Sequence, residues 1–67
     1  MISVGYCIIS LASATMFKVI EIDHNKGIYV IPYSRMRNIF LKDNVGLIPT
    51  FGIKYYKPIT CPRSKHV

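Results

Sequence analysis

A β-hairpin over residues 17–33 constrains the fold of this chain more than any other segment of its sequence. Two runs rich in Val, Ile, Tyr and Phe flank Asn25-Lys26-Gly27. This short loop has glycine at the position where a type I turn followed by a bulge needs a residue with positive φ. The pattern therefore predicts two antiparallel strands that are joined by Asn25, Lys26 and Gly27.

The two faces of this hairpin differ in polarity. With that loop, Ile22 pairs with Val30, and opposed residues lie on the same face. One face is then aliphatic and is expected to form the core; it comprises Ile20, Ile22, Ile28 and Val30. The other face is amphipathic and comprises Phe17, Val19, Glu21, Asp23, Tyr29, Ile31 and Tyr33. A register shift of one residue would exchange the two sets, so the aliphatic set is expected to fix the pairing.

Residues 2–17 carry no charge and allow three interpretations. Alternating apolar side chains in residues 2–8 favour a strand, while small residues at helical spacing would be typical of a buried helix. An apolar stretch over about residues 2–20 approaches the length of a transmembrane helix, although its serines weaken that interpretation. Ala12-Ser13-Ala14 has the form of a signal-peptide cleavage site, but no basic residue precedes the apolar run. A strand or buried helix is the favoured interpretation.

The second half of the chain is expected to hold one helix and one further strand. Apolar residues at 36, 39 and 40 predict a short helix over about 35–43, with Ser34 as its N-cap. Alternation from Phe51 to Tyr55 predicts a last strand, which ends at Pro58.

These elements predict an α+β fold that is mainly β. The expected architecture is a small antiparallel sheet or SH3-like open barrel, centred on the 17–33 hairpin. Residues 1–59 would form a single small domain, and residues 60–67 a basic C-terminal tail.

The two cysteines and two histidines do not form a recognisable metal-binding pattern. Cys7 and Cys61 lie far apart in the sequence, and neither His24 nor His66 has the short spacing from a cysteine that is typical of a metal-binding motif. The sequence therefore predicts no metal and no cofactor. Because no convincing secretion signal is present, reduced and buried thiols are favoured over a disulfide between the two cysteines.

Catalysis is not expected from the acidic residues. Of the three carboxylates, only Glu21 and Asp23 lie on one strand face, and no histidine or third acid with a fitting position supports general acid–base chemistry. The four glycines are isolated, so no phosphate-binding loop is predicted.

The net charge of +6 comes entirely from the second half of the chain. In residues 1–33, two lysines balance two acids. Residues 34–67 hold only Asp43 against seven cations: Arg35, Arg37, Lys42, Lys54, Lys57, Arg63 and Lys65. Such asymmetry indicates an anionic partner, either nucleic acid or a membrane surface.

Basic residues interleaved with tyrosines favour nucleic acid. Cations supply phosphate contacts, and flat rings stack on unpaired bases. The predicted nucleic-acid-binding residues are Arg35, Arg37, Lys42, Lys54, Tyr55, Tyr56, Lys57, Arg63 and Lys65. We therefore expect a small non-catalytic module that docks on nucleic acid, RNA in particular, within a larger assembly such as a ribosome-like complex. The expected location is intracellular, either cytoplasmic or organellar.

Two alternatives remain open from the sequence. In the first, residues 2–20 span a membrane once and the basic remainder faces inside, as in an accessory subunit of a membrane complex. In the second, the chain is a virus- or phage-encoded inhibitor that binds a protein partner; a homo-oligomer is also among the expected assemblies of this chain. The interface residues of the inhibitor would be Phe17, Tyr29, Ile31 and Tyr33.

Overall fold

The computed structural model describes residues 2–34, 36–37 and 39–62. Within these ranges the chain forms six β-strands and one 3-10 helix. The elements are β1 (Cys7–Ser10), β2 (Met16–Asp23), β3 (Gly27–Ser34), β4 (Ile39–Phe40), β5 (Gly46–Pro49), the 3-10 helix (Thr50–Tyr55) and β6 (Tyr56–Ile59).

All strand pairs are antiparallel, and the strand order is β4-β3-β2-β1-β6, with β5 also pairing with β3. β4 and β5 share one edge of β3, whereas the 3-10 helix leads the chain from β5 to β6, which pairs with β1. The sheet is open, because the pairings of the described residues do not join β6 to β4 or β5. This confirms the prediction of a small antiparallel sheet in a mainly β fold.

The predicted hairpin is present as β2 and β3, but its loop lies one residue earlier than predicted. The turn comprises His24, Asn25 and Lys26, and Gly27 already pairs with Asp23. The Asp23 carboxylate fixes this position, because it accepts the backbone N–H groups of Asn25 at 2.9 Å and Lys26 at 3.0 Å. These two hydrogen bonds lower the pKa of Asp23 below its ordinary value.

A β-bulge at Ile20 overturns the predicted faces of β2. The register shifts between Val19 and Glu21, so Val19 pairs with Val30, the residue that was predicted to pair with Ile22. An inserted residue reverses the alternation of side chains beyond it. As a result Val19 is fully buried, and Ile20, which was predicted in the core, is 38% exposed.

The core lies on one side of the sheet, which we call the core face. Its buried cluster comprises Ile8, Val19, Ile28, Val30 and Ile48. Partly buried side chains pack around this cluster, and they include Ile2, Phe17, Ile22, Ile53 and Tyr56.

The uncharged N-terminal segment contains a strand, but this strand covers Cys7–Ser10 and not residues 2–8, where the alternation predicted it. β1 pairs with β2 on one side and β6 on the other, and its residues Cys7 and Ile8 are fully buried. The structure contradicts the helical interpretations of residues 2–17, since β1 and turns occupy this segment. Among the described residues, no helix has the length and apolar character that crossing a membrane requires.

The predicted helix over 35–43 is wrong, although Arg35 and Asn38 lie outside the described residues. Ile39 and Phe40 form β4 against the end of β3, where Tyr33 pairs with Phe40. An open sheet edge here outweighs the weak helical pattern, since local propensity is readily overridden by tertiary pairing.

The predicted last strand is also displaced. Residues from Thr50 to Tyr55 form the 3-10 helix, and the strand begins only at Tyr56. The alternation seen in the sequence reflects a helical turn that packs Ile53 against the core while Phe51 remains exposed.

The prediction of reduced thiols is wrong, because Cys7 and Cys61 form a disulfide. Cys7 pairs with Ile59 in the sheet, so the chain beyond β6 passes beside it, and the two Cα atoms lie 4.9 Å apart. The sequence-based expectation of reduced thiols carried no information on this proximity. Of the predicted tail, residues 60–62 are held beside β1 by this bond, and residues 63–67 lie outside the described ranges.

Candidate nucleic-acid interface

The side of the sheet opposite the core carries cations and aromatic rings from four strands. Strand register places these side chains together, because paired residues of neighbouring strands point to the same side. We call this surface the outer face; by strand register it comprises Cys7, Ile9, Met16, Lys18, Ile31, Tyr33, Phe40, Lys57 and Ile59. The disulfide between Cys7 and Cys61 therefore lies on this side of the sheet.

Towards the β4 edge of the outer face, one cation and two rings are in contact. The Lys18 Nζ lies 5.5 Å from the centroid of the Phe40 ring. The Phe40 and Tyr33 ring centroids are 4.9 Å apart, with an angle of 59° between the ring planes. These distances are within the ranges for cation–π attraction and aromatic pairing. The three side chains form a single group, which we call the Lys18 cluster.

Strand order explains how the Lys18 cluster forms. β3 lies between β2 and β4, so the Lys18 side chain must cross β3 to reach Phe40. Ile31 is the residue of β3 directly opposite Lys18, and it is only 4% exposed. The aliphatic stem of Lys18 can cover apolar surface while its ammonium group stays in water. The cluster therefore combines a buried support with an accessible positive charge.

A small cavity of about 280 Å³ lies next to Tyr33. The turn between β1 and β2 lines it through Ser13, Ala14 and Thr15, and β2 contributes Met16. The Ser13 and Thr15 hydroxyl groups are hydrogen-bonded to each other at 2.9 Å and remain exposed. Hydroxyl groups beside a ring provide polar contacts for a phosphate or sugar.

On the other side of Phe40, the chain forms an open concavity of about 630 Å³. Its lining residues are Arg37, Ile39, Phe40, Leu41, Lys42, Asp43 and Asn44. Arg37 and Lys42, both predicted to bind nucleic acid, are exposed here. Phe40 borders both the concavity and the Lys18 cluster, so these two surfaces are continuous.

Lys57 is the third predicted cation that this surface includes. It lies on β6 opposite Ile9, at the far edge of the outer face, and is exposed. No charged side chain in the described part of the chain is buried. The cations are thus accessible to a partner.

Three other predicted residues lie away from the outer face. Lys54 and Tyr55 belong to the 3-10 helix, and the Lys54 Nζ lies 5.3 Å from the Tyr55 ring centroid. Tyr56 packs edge-on against Phe17, with ring centroids 6.1 Å apart, and both rings border the core. The described ranges do not include Arg35, Arg63 and Lys65.

The residues predicted for a protein interface are also separated. Phe17 is on the core face, whereas Ile31 is buried beneath Lys18. Tyr33 belongs to the Lys18 cluster. Tyr29 pairs with Glu21 and Leu47, on the part of the sheet beyond the bulge.

Sequence reasoning missed Lys18 and Phe40. Lys18 was counted only as a charge balanced by nearby acids, and Phe40 was assigned to the apolar side of a helix. One signal for this contact was present in the sequence: Tyr33 and Phe40 are separated by a length of chain that permits a hairpin. That signal can be interpreted only if β4 is recognised as a strand.

The acidic residues take structural positions in this arrangement. Asp23 accepts the two hydrogen bonds of the hairpin turn, and Glu21 pairs across the sheet with Tyr29. Within the described ranges, no group of three or more His, Cys, Asp or Glu residues is placed to hold a metal ion.

Comparison with protein-family models, curated proteins and solved structures found no match to this chain.

Proposed function

We propose that this protein is a non-catalytic module that binds single-stranded nucleic acid, RNA in particular, across its outer face as part of a larger assembly. The observation that carries the proposal is the contact of Lys18 with Phe40 and of Phe40 with Tyr33 on one accessible surface. Aromatic rings bind unpaired bases by stacking, and neighbouring cations bind the phosphates between them.

The extent of the surface fits a short segment of nucleic acid. Four inter-strand steps separate β6 from β4, which at about 4.8 Å each gives about 19 Å between Lys57 and the β4 end. Arg37 and Lys42 extend the positive charge beyond Phe40. A strand that crosses the sheet would then contact cations at both ends and rings between them. We expect a site of about four nucleotides, at the lower end of the range for small β-domains.

We also propose that the sheet belongs to the SH3-like open-barrel class. Support comes from the meander of β1, β2 and β3, its continuation to β5, and the 3-10 helix that precedes the return of β6 to β1. Small open barrels of this type carry many functions, so the functional proposal rests on the Lys18 cluster and not on the architecture.

The proposal is tested by fluorescence anisotropy with a labelled 12-nucleotide oligouridine and the matching oligodeoxythymidine. We expect binding at 50 mM salt that weakens steeply towards 200 mM, with RNA bound at least as well as DNA. Phe40→Leu removes a stacking ring and should weaken binding about tenfold. Lys18→Gln should reduce the slope of log affinity against log salt by about 1.

Two variants on other surfaces serve as controls. Phe51→Leu changes an equally aromatic side chain that is 78% exposed on the 3-10 helix, and Lys26→Gln removes an exposed cation in the hairpin turn. Both should leave binding within about twofold of the wild type. The proposal fails if the wild type does not bind at 50 mM salt, or if Phe40→Leu and Phe51→Leu have equal effects. Thermal unfolding of each variant excludes loss of the fold as the cause.

A further inference from the structure

Five of the eleven large apolar side chains that are exposed in the described ranges follow one another along one edge of the sheet. Between residues 36 and 47, five large apolar side chains are each at least 37% exposed, and Met36 is 97% exposed. We call this surface the edge lobe; its apolar members are Met36, Ile39, Leu41, Val45 and Leu47. A concentration of this kind on a small protein indicates an interaction surface.

Backbone hydrogen bonds place the edge lobe outside β3. The Leu41 N–H donates to the Pro32 carbonyl at 2.8 Å, and Gly46 pairs with Val30 farther along the same strand. Between these anchors the chain turns, with the Asn44 N–H donating to the Leu41 carbonyl at 3.3 Å. The loop therefore projects from the sheet edge, with apolar residues on both its flanks.

The charges of the edge lobe are mainly positive. Arg37 and Lys42 are exposed among the apolar side chains, with Asp43 as the acid in this stretch. The opposite edge of the sheet differs, because β6 presents Lys57 and Pro58, residues that discourage contact along an edge strand. Of the strands at these two edges, β4 and β5 carry exposed large apolar side chains, at Ile39 and Leu47, whereas β6 carries none.

We infer that the edge lobe docks on the surface of an anionic lipid bilayer. Apolar loop residues would enter the boundary between headgroups and acyl chains, while Arg37 and Lys42 contact the anionic headgroups. A second copy of the chain is a poorer occupant, because each copy carries a net charge of +6 and like charges would meet at the interface. This inference does not depend on the proposed binding of nucleic acid.

The chain contains no tryptophan, so a single introduced tryptophan reports directly on docking. We would compare Leu41→Trp, in the edge lobe, with Leu11→Trp, at an exposed position in the turn after β1. Vesicles of phosphatidylcholine alone and vesicles with 30% phosphatidylglycerol would be added to each. The expected result is a blue shift of emission for Leu41→Trp with the anionic vesicles only, and no shift for Leu11→Trp.

Vesicle flotation separates insertion from simple charge attraction. Met36→Gln combined with Val45→Gln should reduce the fraction bound to anionic vesicles about tenfold, since both side chains are exposed and their loss leaves the core intact. Lys54→Gln, which removes an exposed cation from the 3-10 helix, should leave vesicle binding within about twofold of the wild type.

Equal shifts for the two tryptophan reporters, or binding that Met36→Gln with Val45→Gln does not alter, would overturn the inference. Equal binding to neutral and anionic vesicles would overturn it too. Sedimentation without lipid tests the second-copy alternative: a dimer that the paired glutamine variant abolishes would assign the edge lobe to self-association instead.

Discussion

Lys18 and Phe40 are in contact across β3, with the Lys18 Nζ 5.5 Å from the centroid of the Phe40 ring. They belong to β2 and β4, which do not pair with each other. Ile31 lies on the intervening strand and is almost completely buried. The same contact therefore contributes to packing and presents a cation beside an aromatic ring.

A double-mutant cycle should detect this contact. Lys18→Met keeps most of the aliphatic stem and removes the charge, while Phe40→Leu removes the ring. We expect a coupling free energy of about 0.5–1 kcal/mol from urea unfolding of the four proteins, which decreases at high salt. The exposed pair Lys54 and Tyr55 provides a comparison cycle with smaller coupling. Coupling near zero for Lys18 and Phe40 would show that the two side chains do not interact.

The bulge in β2 gives adjacent residues opposite roles. Val19 is fully buried and Ile20 is 38% exposed. Val19→Ala should lower the free energy of unfolding by about 2 kcal/mol, since it removes buried methyl groups and leaves a cavity. Ile20→Ala should lower it by about 0.5 kcal/mol. Urea unfolding measures both losses of free energy. A larger loss for Ile20→Ala than for Val19→Ala would support the register that the sequence predicted.

The hairpin and the positive φ of Gly27 could be predicted from the sequence because alternation and turn chemistry agree there, although the loop lies one residue earlier than predicted. Alternation specifies which residues share a face only when no residue is inserted, so it could not reveal the bulge at Ile20. The two-residue strand at Ile39 and Phe40 was also beyond local reasoning. Those residues pair because β3 offers an unoccupied edge, which is a property of the assembled sheet.

Gly27 should be the least replaceable glycine among those described. Its φ is +137°, and a Cβ at this position would overlap the Ile48 carbonyl oxygen and lie 2.8 Å from the Pro49 Cα. Gly27→Ala is therefore expected to cost about 3 kcal/mol or more in the free energy of unfolding. Gly46→Ala is the matched control, because a Cβ added there would have no atom within 4 Å and its φ is not positive. Gly46→Ala should change the free energy of unfolding by less than about 1 kcal/mol. Equal losses of stability in Gly27→Ala and Gly46→Ala would contradict the close approach of β5 to Gly27.

Asp23 should make the stability of the hairpin turn depend on pH. Its pKa is lowered by the backbone N–H groups of Asn25 and Lys26, so the ionised form stabilises the folded state above the ordinary pKa of about 3.9. That contribution is lost as the pH falls through the lowered pKa of the folded state. Asp23→Ala should therefore reduce the melting temperature at pH 7, and the difference from wild type should shrink towards pH 2.

Asp43→Ala is the control for this pH effect, because it removes one negative charge from a different exposed turn. Its effect on the melting temperature should be smaller than that of Asp23→Ala at pH 7. A wild-type advantage over Asp23→Ala that persists unchanged to pH 2 would mean that the carboxylate charge is not responsible.

The candidate site was predictable only in part, and for a definite reason. Arg37, Lys42 and Lys57 were identified from charge, which the sequence gives directly. The aromatic contact in the candidate site depends on Lys18 and Phe40, and these residues come together only through the order of the strands. Tyr56 shows the converse, since a ring in a basic sequence context packs beside the core.

The disulfide between Cys7 and Cys61 should supply much of the stability of this small domain. It links residues 54 positions apart, which corresponds to about 4 kcal/mol from restriction of the unfolded chain. A domain of this length has a total stability of about 3–10 kcal/mol. The double variant Cys7→Ala with Cys61→Ala should therefore unfold at a much lower urea concentration, and reducing agent should lower the urea midpoint of the wild type in the same way.

Alanine is preferred to serine in this variant because Cys7 is fully buried, where a hydroxyl group without a partner would add its own free-energy cost. Titration of the unfolded, unreduced protein should find no free thiol. Two free thiols, or a urea midpoint that reducing agent does not change, would instead support the reduced cysteines that the sequence favoured.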